Sequence, residues 1–426
     1  MGRRALILLE GSRSNGRLCV QAAQRLGLHP ITLAADPSRY DYLAAKGIEA
    51  IRVDTDDLDA LIRECSRLSA TYDVAGITGF WNPSETVYAT VGKLCRHFGL
   101  PGPDPASIER CCDKFTQRQL LAEAGVPMPA YRLAADATDV ESSAAEIGLP
   151  VIVKPAVGSG SVGVRLCRTV DELAEHTTYL LGGKPSPRIL VEEFAQGPLY
   201  VANLMGNEVI GITAYEFGPP PHFVVRECVF PAPLTDDEYT HIADVSLRCL
   251  QALGLGWGPT NIELRWTQRG PVVIEVNPRM AAGDPELIQL GYGVDLFTAH
   301  LKLVIGEEWD LSKRHSQTAT SRCLVPDRDG ILDRIDGGSR AVAVPGVVEV
   351  KLYVQPKTPI VRKGDSRDSI GYVIATSPSR ARTAAILQRA VDLIGWSITP
   401  FPTLGEQQQS TAPHLPAPAE EAPGKR

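Results

Sequence analysis

Two short runs of alternating apolar residues, 262–266 and 272–277, stand on either side of a TQRG turn within TNIELRWTQRGPVVIEVNPRMAAG, and this spacing dictates an antiparallel hairpin. Residues i and i+2 of a strand point to one face, so Glu275 and Asn277 project together and the hairpin brings Glu263 beside them. Three oxygen donors on one surface suit magnesium. That ion prefers hard oxygen ligands, keeps several waters, and is usually shared between one or two carboxylates and substrate phosphates. Arg279 follows on the same face, where a fixed guanidinium neutralises phosphate or a developing oxyanion. Taken alone, an E-x-N pair at a strand end is more often a solvated surface pair, so the reading depends on the rest of the chain.

With 426 residues the chain has room for two or three domains. Hydrophobic residues at 44% and charged residues at 22% are ordinary globular values, and a net charge of -7 advertises no surface for nucleic acid or an anionic membrane. No uninterrupted apolar run reaches the roughly 18 to 20 residues of a spanning helix, so a cytoplasmic protein is expected. The nine cysteines show no C-x-x-C spacing, and the adjacent Cys111 and Cys112 are too close for an ordinary bridge. They read as buried or spectator thiols of a reducing compartment.

The first hundred residues alternate short apolar strands (5–9, 31–34, 51–53, 74–78) with amphipathic helical spacing (16–26, 39–46, 58–68, 85–98), the pattern of a doubly wound α/β domain. The GSRSNG after the first strand is not G-x-G-x-x-G, which argues against a dinucleotide fold. LPGPDP at 100–105 ends this domain, and a helical stretch over 107–124 follows. Strands are expected at 151–154 and 188–193, then again at 347–354 and 371–376, before a helix at 379–394. The resulting division is 1–102, 103–190, 191–315 and a small α+β unit at 316–400. Residues 401–426 carry too little apolar content to fold.

In VIVKPAVGSGSVGV a strand delivers Lys154 into a loop containing Gly158, Ser159, Gly160, Ser161 and Gly163. Such a loop offers backbone N–H groups and serine hydroxyls to phosphate oxygens, and can close over them. It is not a Walker loop, because the lysine precedes the glycines. Lys114 opens the helical segment KFTQRQLLAEAG, and VEEF ends a strand with Glu192, Glu193 and Phe194, where backbone groups could meet an adenine edge. Each feature also has an ordinary reading, as a flexible hairpin, a solvated lysine or surface charge. No Ser-His-Asp or Cys-His constellation is apparent, and His222 and His241 read as surface or satisfied polar residues.

Taken in order, DKFTQRQLLAEAGVP, VIVKPAVGSGSVGV, VEEFAQG, NIEL and VIEVNPR resemble the ATP-grasp superfamily across residues 103–307. Residues 321–394 resemble the terminal domain of the dipeptide-forming L-amino acid ligases. The resemblance implies an ATP-grasp fold with an N-terminal pre-ATP-grasp α/β domain. It implies that Lys114 and Lys154 contact nucleotide phosphates, that 158–163 is the lid loop and that 192–194 is the adenine hinge. Glu263, Glu275 and Asn277 would hold magnesium, two ions with manganese able to substitute, and Arg279 would contact the transferred phosphate. Arg226, Glu227 and Gly283 would meet the substrate. A homodimer is a further expectation.

Three positions depart from the family. Leu199 stands where a ribose-binding glutamate is common, leaving Asn203 as the candidate, Phe230 replaces a histidine, and MAAGDPEL follows Arg279 in place of a glycine pair. The implied activity is an ATP-dependent carboxylate–amine ligase that joins an amino acid through an acyl phosphate. The rival readings are an ATP-grasp carboxylase or nucleotide-precursor ligase, and a protein that binds ATP without turnover.

Overall fold

The computed structural model describes residues 2–12, 15–79, 85–183 and 188–401, so the polar tail lies outside the described residues. The N-terminal sheet is parallel, in the order β3-β2-β1-β4, built from β1 (Arg4–Leu9), β2 (His29–Ala34), β3 (Glu49–Arg52) and β4 (Asp73–Thr78). Helices α1 (Gly16–Arg25), α2 (Asp41–Ala45), α3 (Leu58–Ser69) and α4 (Glu85–Phe98) connect the strands or follow the last. Strand β1 is buried on both faces, as a parallel strand between helices must be. Ala5, Ile7 and Leu9 enter one core with Leu61 and Leu68 of α3. Leu6 and Leu8 enter another with Cys19 and Val20 of α1.

The helical stretch expected over 107–124 is two helices, α5 (Pro105–Cys112) and α6 (Lys114–Glu123). Asp113 breaks it: its backbone is extended, and its carboxylate accepts from Thr116 N at 2.8 Å as the N-cap of α6. A four-stranded antiparallel sheet follows in the order β5-β8-β6-β7. Its strands are β5 (Tyr131–Ala134), β6 (Val151–Pro155), β7 (Arg165–Cys167) and β8 (Ile189–Glu193), backed by α7 (Ala137–Ile147) and α8 (Val170–Leu181). The glycine-rich loop joins β6 to β7 at its edge.

The largest sheet has eight strands and runs β13-β12-β9-β10-β11-β14-β18-β16. Strands β9 (Leu199–Met205), β10 (Glu208–Phe217), β11 (Val225–Phe230), β12 (Pro259–Thr267) and β13 (Gly270–Asn277) precede residue 316. Strands β14 (Thr318–Leu324), β16 (Val347–Leu352) and β18 (Gly371–Ser377) continue the sheet beyond it. Helix α9 (Asp236–Leu253) covers one face near β12 and β13, packing Ile242, Cys249 and Leu253 against Ile262, Leu264 and Val273. On the other face α10 (Asp284–Tyr292) and α11 (Leu296–Val304) tie the sheet to the core containing Leu6 and Leu8. A small sheet, β17-β15-β19, completes the fold with β15 (Gly330–Asp336), β17 (Pro359–Ile360), β19 (Gly395–Thr399), α12 (Gly338–Val342) and α13 (Arg380–Asp392). Among the described residues no helix is long and apolar enough to cross a membrane, and every cysteine is a free, at least half-buried thiol.

Candidate active site

The hairpin of β12 and β13 puts Glu263 opposite Glu275 and Asn261 opposite Asn277. Because β13 is the outermost strand of the sheet, its free edge needs a partner, and α6 supplies one. Gln117 acts as a surrogate peptide: its amide donates to Val276 O at 2.8 Å and accepts from Val276 N at 2.9 Å. Arg118, one residue on and fully buried, donates to Ile274 O. Lys114 opens the same helix and reaches Glu275 Oε1 at 2.9 Å and Gly158 O. The break at Asp113 therefore sets the lysine that the carboxylate needs.

A second ionic group lies behind the first. Lys154 Nζ is 2.5 Å from Glu192 Oε2, and Arg118 Nε is 2.7 Å from Glu192 Oε1, with all three side chains buried. Burial works against Glu192's charge, but Arg118 and Lys154 outweigh it and hold the carboxyl below its ordinary value. Burial lowers Lys154, with Glu192 opposing. Burial would likewise raise Glu275, yet Lys114 and Lys154 hold it low. Glu263 is less fully offset: Arg279, Lys154 and Lys114 act to lower it, but burial and then the facing Glu275 outweigh them and push its carboxyl up to about 7.

These groups open onto one cavity of about 420 Å³. The sequence candidates Lys114, Lys154, Glu192, Glu263, Glu275 and Arg279 all contribute to its wall, as do Gly158, Ser159, Gly160 and Ser161 from the loop. Glu193, Phe194 and Gly283 line it as well. Gly160 and Ser161 carry left-handed backbones, φ 68° and 61°, which turn the loop over the cavity, and Ser366 N donates to Gly160 O at 3.3 Å. At the hinge Glu193 pairs with Arg269 at 2.7 Å. The apolar groups Ile152, Leu199, Val201 and Ile274 wall the cavity, with Phe194 beside Phe223 and the Arg265 guanidinium 5.7 Å above its ring.

Other candidates stand elsewhere. Gly163 faces a second cavity beside Arg165 and His176. Asn203 does not line the main cavity: it is 4% exposed on β9 and its amide donates to Asp284 Oδ2 at 2.8 Å. Arg226 and Glu227 are also off the wall. Glu227 is bound to Arg322, its neighbour across β11 and β14, at 2.6 Å, and Arg226 donates to Val325 O at 3.4 Å. Asn277 is buried beneath the surface and donates to Asn261 Oδ1 at 3.3 Å, so Asn261, which fastens Arg279 O at 2.9 Å, is the amide at the wall. Phe230 is core, stacked edge-on against Tyr292. His222 packs against Gly364 and His241 lies half in solvent.

Sequence reasoning missed Gln117, Arg118, Asn261, Arg265 and Asp284. The spacing of Lys114, Gln117 and Arg118 at i, i+3 and i+4 was the available signal for one helical face. Asp284 is fully buried and accepts from Asn203, from Thr213 at 2.8 Å and from Tyr215 at 2.7 Å. Burial nevertheless raises it.

Residues 113–312 match the model of the carbamoyl-phosphate synthase L chain, ATP binding domain, and residues 322–399 match L-amino acid ligase C-terminal domain 2. The uncharacterized protein y4rH of Sinorhizobium fredii is 62% identical over 419 residues, which cover 97% of this chain and 87% of that protein. The chain belongs to the ATP-grasp superfamily of carboxylate–amine ligases. Human carnosine synthase 1 is 30% identical over 257 residues, 54% of this chain, and the match spans only 31% of its length. An L-amino acid ligase from Bacillus licheniformis shares the ATP-grasp fold, with a TM-score of 0.79 at 19% identity, over 93% of this chain and 99% of that one.

Proposed function

We propose that the protein joins a carboxylic acid to an amine, with an amino acid among the substrates, at the expense of ATP. The observation that supports this best is the meeting of Glu263 and Glu275 with Lys114, Lys154 and Arg279 on one cavity. The donor set fits magnesium: two carboxylates face each other across a hairpin, and burial with the facing Glu275 raises Glu263 despite Arg279, Lys154 and Lys114. Bound there, magnesium would offset phosphate charge and polarise the transferred group. Glu263 and Glu275 would hold it, with Asn261 or Asn277 as the neutral oxygen.

The chain's own residues account for the rest. Arg118, Lys154 and Glu192 form a buried set with one excess positive charge, which a polyphosphate would balance. The Gly158–Gly163 loop, fastened by Ser366, would exclude water while a substrate carboxylate displaces ADP from the γ-phosphate. Arg279 would then steady the oxyanion formed as an amine attacks the acyl phosphate and phosphate departs. The products are an amide, ADP and phosphate, in small-peptide or peptide-like biosynthesis in the cytoplasm.

The test is phosphate release from ATP and magnesium across single and paired amino acids and small carboxylic acids, with product masses recorded. Release that requires a pair, and a mass equal to the two minus water, is the expected result. ATP consumption that requires bicarbonate, or binding without turnover for every pair, would overturn the reading.

A further inference from the structure

The cavity includes a chamber that the phosphate chemistry does not use. Its wall is made by Glu286 and Leu287 of α10, Cys323 of β14, Tyr372 and Ile374 of β18, and Tyr353. This lining is largely apolar and aromatic, so each carboxylate near it needs an explanation.

Asp284 has one in its three hydrogen-bond donors. Glu349, on β16, accepts from Tyr372 OH at 2.7 Å and lies 3.5 Å from Arg17. Glu286 is different. It is half-buried and lines the chamber, yet among the described residues it forms no hydrogen bond or ion pair. Arg17 and Lys351 act on it only at longer range, and burial together with Glu349 works against its charge. A partly desolvated carboxylate in an apolar wall calls for a cation.

Arg279 stands at the other end of the same stretch, seven residues before Glu286, and also lines the cavity. Arg279 also donates to Met280 O at 3.2 Å, and a small ligand that presents complementary charge to a guanidinium and to a carboxylate is an amino acid. The protonated amine cannot be the nucleophile, because it has no free electron pair. An ammonium that stays protonated belongs to the molecule whose carboxylate is activated.

We propose that Glu286 binds the spectator ammonium of an amino-acid acyl donor whose carboxylate lies beside Arg279. This rests on the ligase reading above. One donor carboxylate oxygen bonds to the γ-phosphorus as the bond to ADP breaks. The neutral amine of the second substrate then forms the C–N bond to the acyl carbon as its C–O bond to phosphate breaks, and the amine's proton leaves with the phosphate as hydrogen phosphate. The ammonium at Glu286 keeps its protons throughout, and Leu287, Ile374 and Tyr372 would receive the donor's side chain.

The experiment compares each amino-acid donor with its des-amino counterpart, using the full chain, ATP, magnesium and a common acceptor, for wild type, E286Q and E286D. Wild type should favour the amino acid in kcat/KM by about 10- to 100-fold, the weight of one charge-assisted hydrogen bond. E286Q should collapse that preference, chiefly through KM for the amino acid, and E286D should restore part of it. An active wild type that turns over both donors equally, or an E286Q that keeps the preference, overturns the assignment while leaving the ligase intact. Absence of turnover by wild type with every pair overturns the ligase reading instead. Melting curves for E286Q, read beside the kinetics, separate lost binding from lost folding.

Discussion

The two ends of the cavity are charged in opposite styles. At the phosphate end the buried charges are matched in advance: Lys114 with Glu275, and Lys154 and Arg118 with Glu192. At the far end Glu286 faces a largely apolar chamber with no hydrogen-bond or ion-pair partner among the described residues, only Arg17 and Lys351 at longer range. A site that always meets the same ligand, a polyphosphate, can be organised before the ligand arrives, and its ion pairs are exchanged on binding rather than created. A site that selects among substrates leaves its charge to be completed by the right one. Glu263 is the exception at the phosphate end, and it sits where the metal is expected.

The comparison breaks first if the paired end is not the catalytic one. Glu275→Gln removes a carboxylate proposed to hold magnesium and Lys114's partner together, and ADP formation should fall by at least about a thousandfold. Far-ultraviolet circular dichroism should remain native. Near-normal ADP production by this variant would remove the metal assignment and with it the meaning of the paired end.

Stability gives the sharper contrast. Glu192→Gln leaves Arg118 and Lys154 buried without their shared counter-charge, so it should cost about 3–5 kcal/mol. Glu286→Gln removes a carboxylate that nothing pairs with, and should change stability by less than about 1 kcal/mol. Urea unfolding of the two variants side by side decides the matter. Equal losses would mean that Glu286 has structural partners and that the two ends are alike.

A third buried group calibrates both. His300 lies in the core with Nε2 2.7 Å from Thr78 Oγ1, and burial pushes it down to about 3. Between roughly pH 6.5 and that value the unfolded chain takes up a proton that the folded chain refuses, so stability is full above pH 6.5 and declines as pH falls. At pH 5 the loss is about 2 kcal/mol, and His300→Gln should remove that part of the slope. An unchanged slope in the variant would show that burial at this depth perturbs titration far less than the charges at the cavity require.

How much of this was legible in the sequence differs between the ends for a physical reason. The hairpin of Glu263 and Glu275 is local: two alternating runs and a turn fix both register and face. The chamber around Glu286 is closed by β14, β18 and Tyr353, which come from far along the chain, and no short pattern announces that. Asn203 was misplaced because β9 is buried along its whole length, so alternation gave no sign of which face met the cavity. Glu227 was misplaced because its partner, Arg322, comes from β14. The C-terminal strands read correctly as strands, but that they would extend the sheet bearing Glu263 and Glu275 was not readable.

The smallest effect tests how the paired end is placed. Asp113 caps α6, and its carboxylate also pairs with Arg188. Asp113→Ala should cost about 1 kcal/mol as a lost N-cap. Lys114 is the next residue, so fraying of that first turn should also raise KM for ATP, by an amount larger than the stability loss alone would give. Asp113→Asn keeps the cap acceptor and loses only the charge toward Arg188, a surface pair worth little. It should therefore behave as wild type in ATP titrations. If Asn and Ala variants weaken ATP binding equally, the Arg188 pair positions Lys114 and the cap does not. Pre-pairing at the phosphate end would then depend on a charge that reaches across to β8's approach rather than on the helix itself.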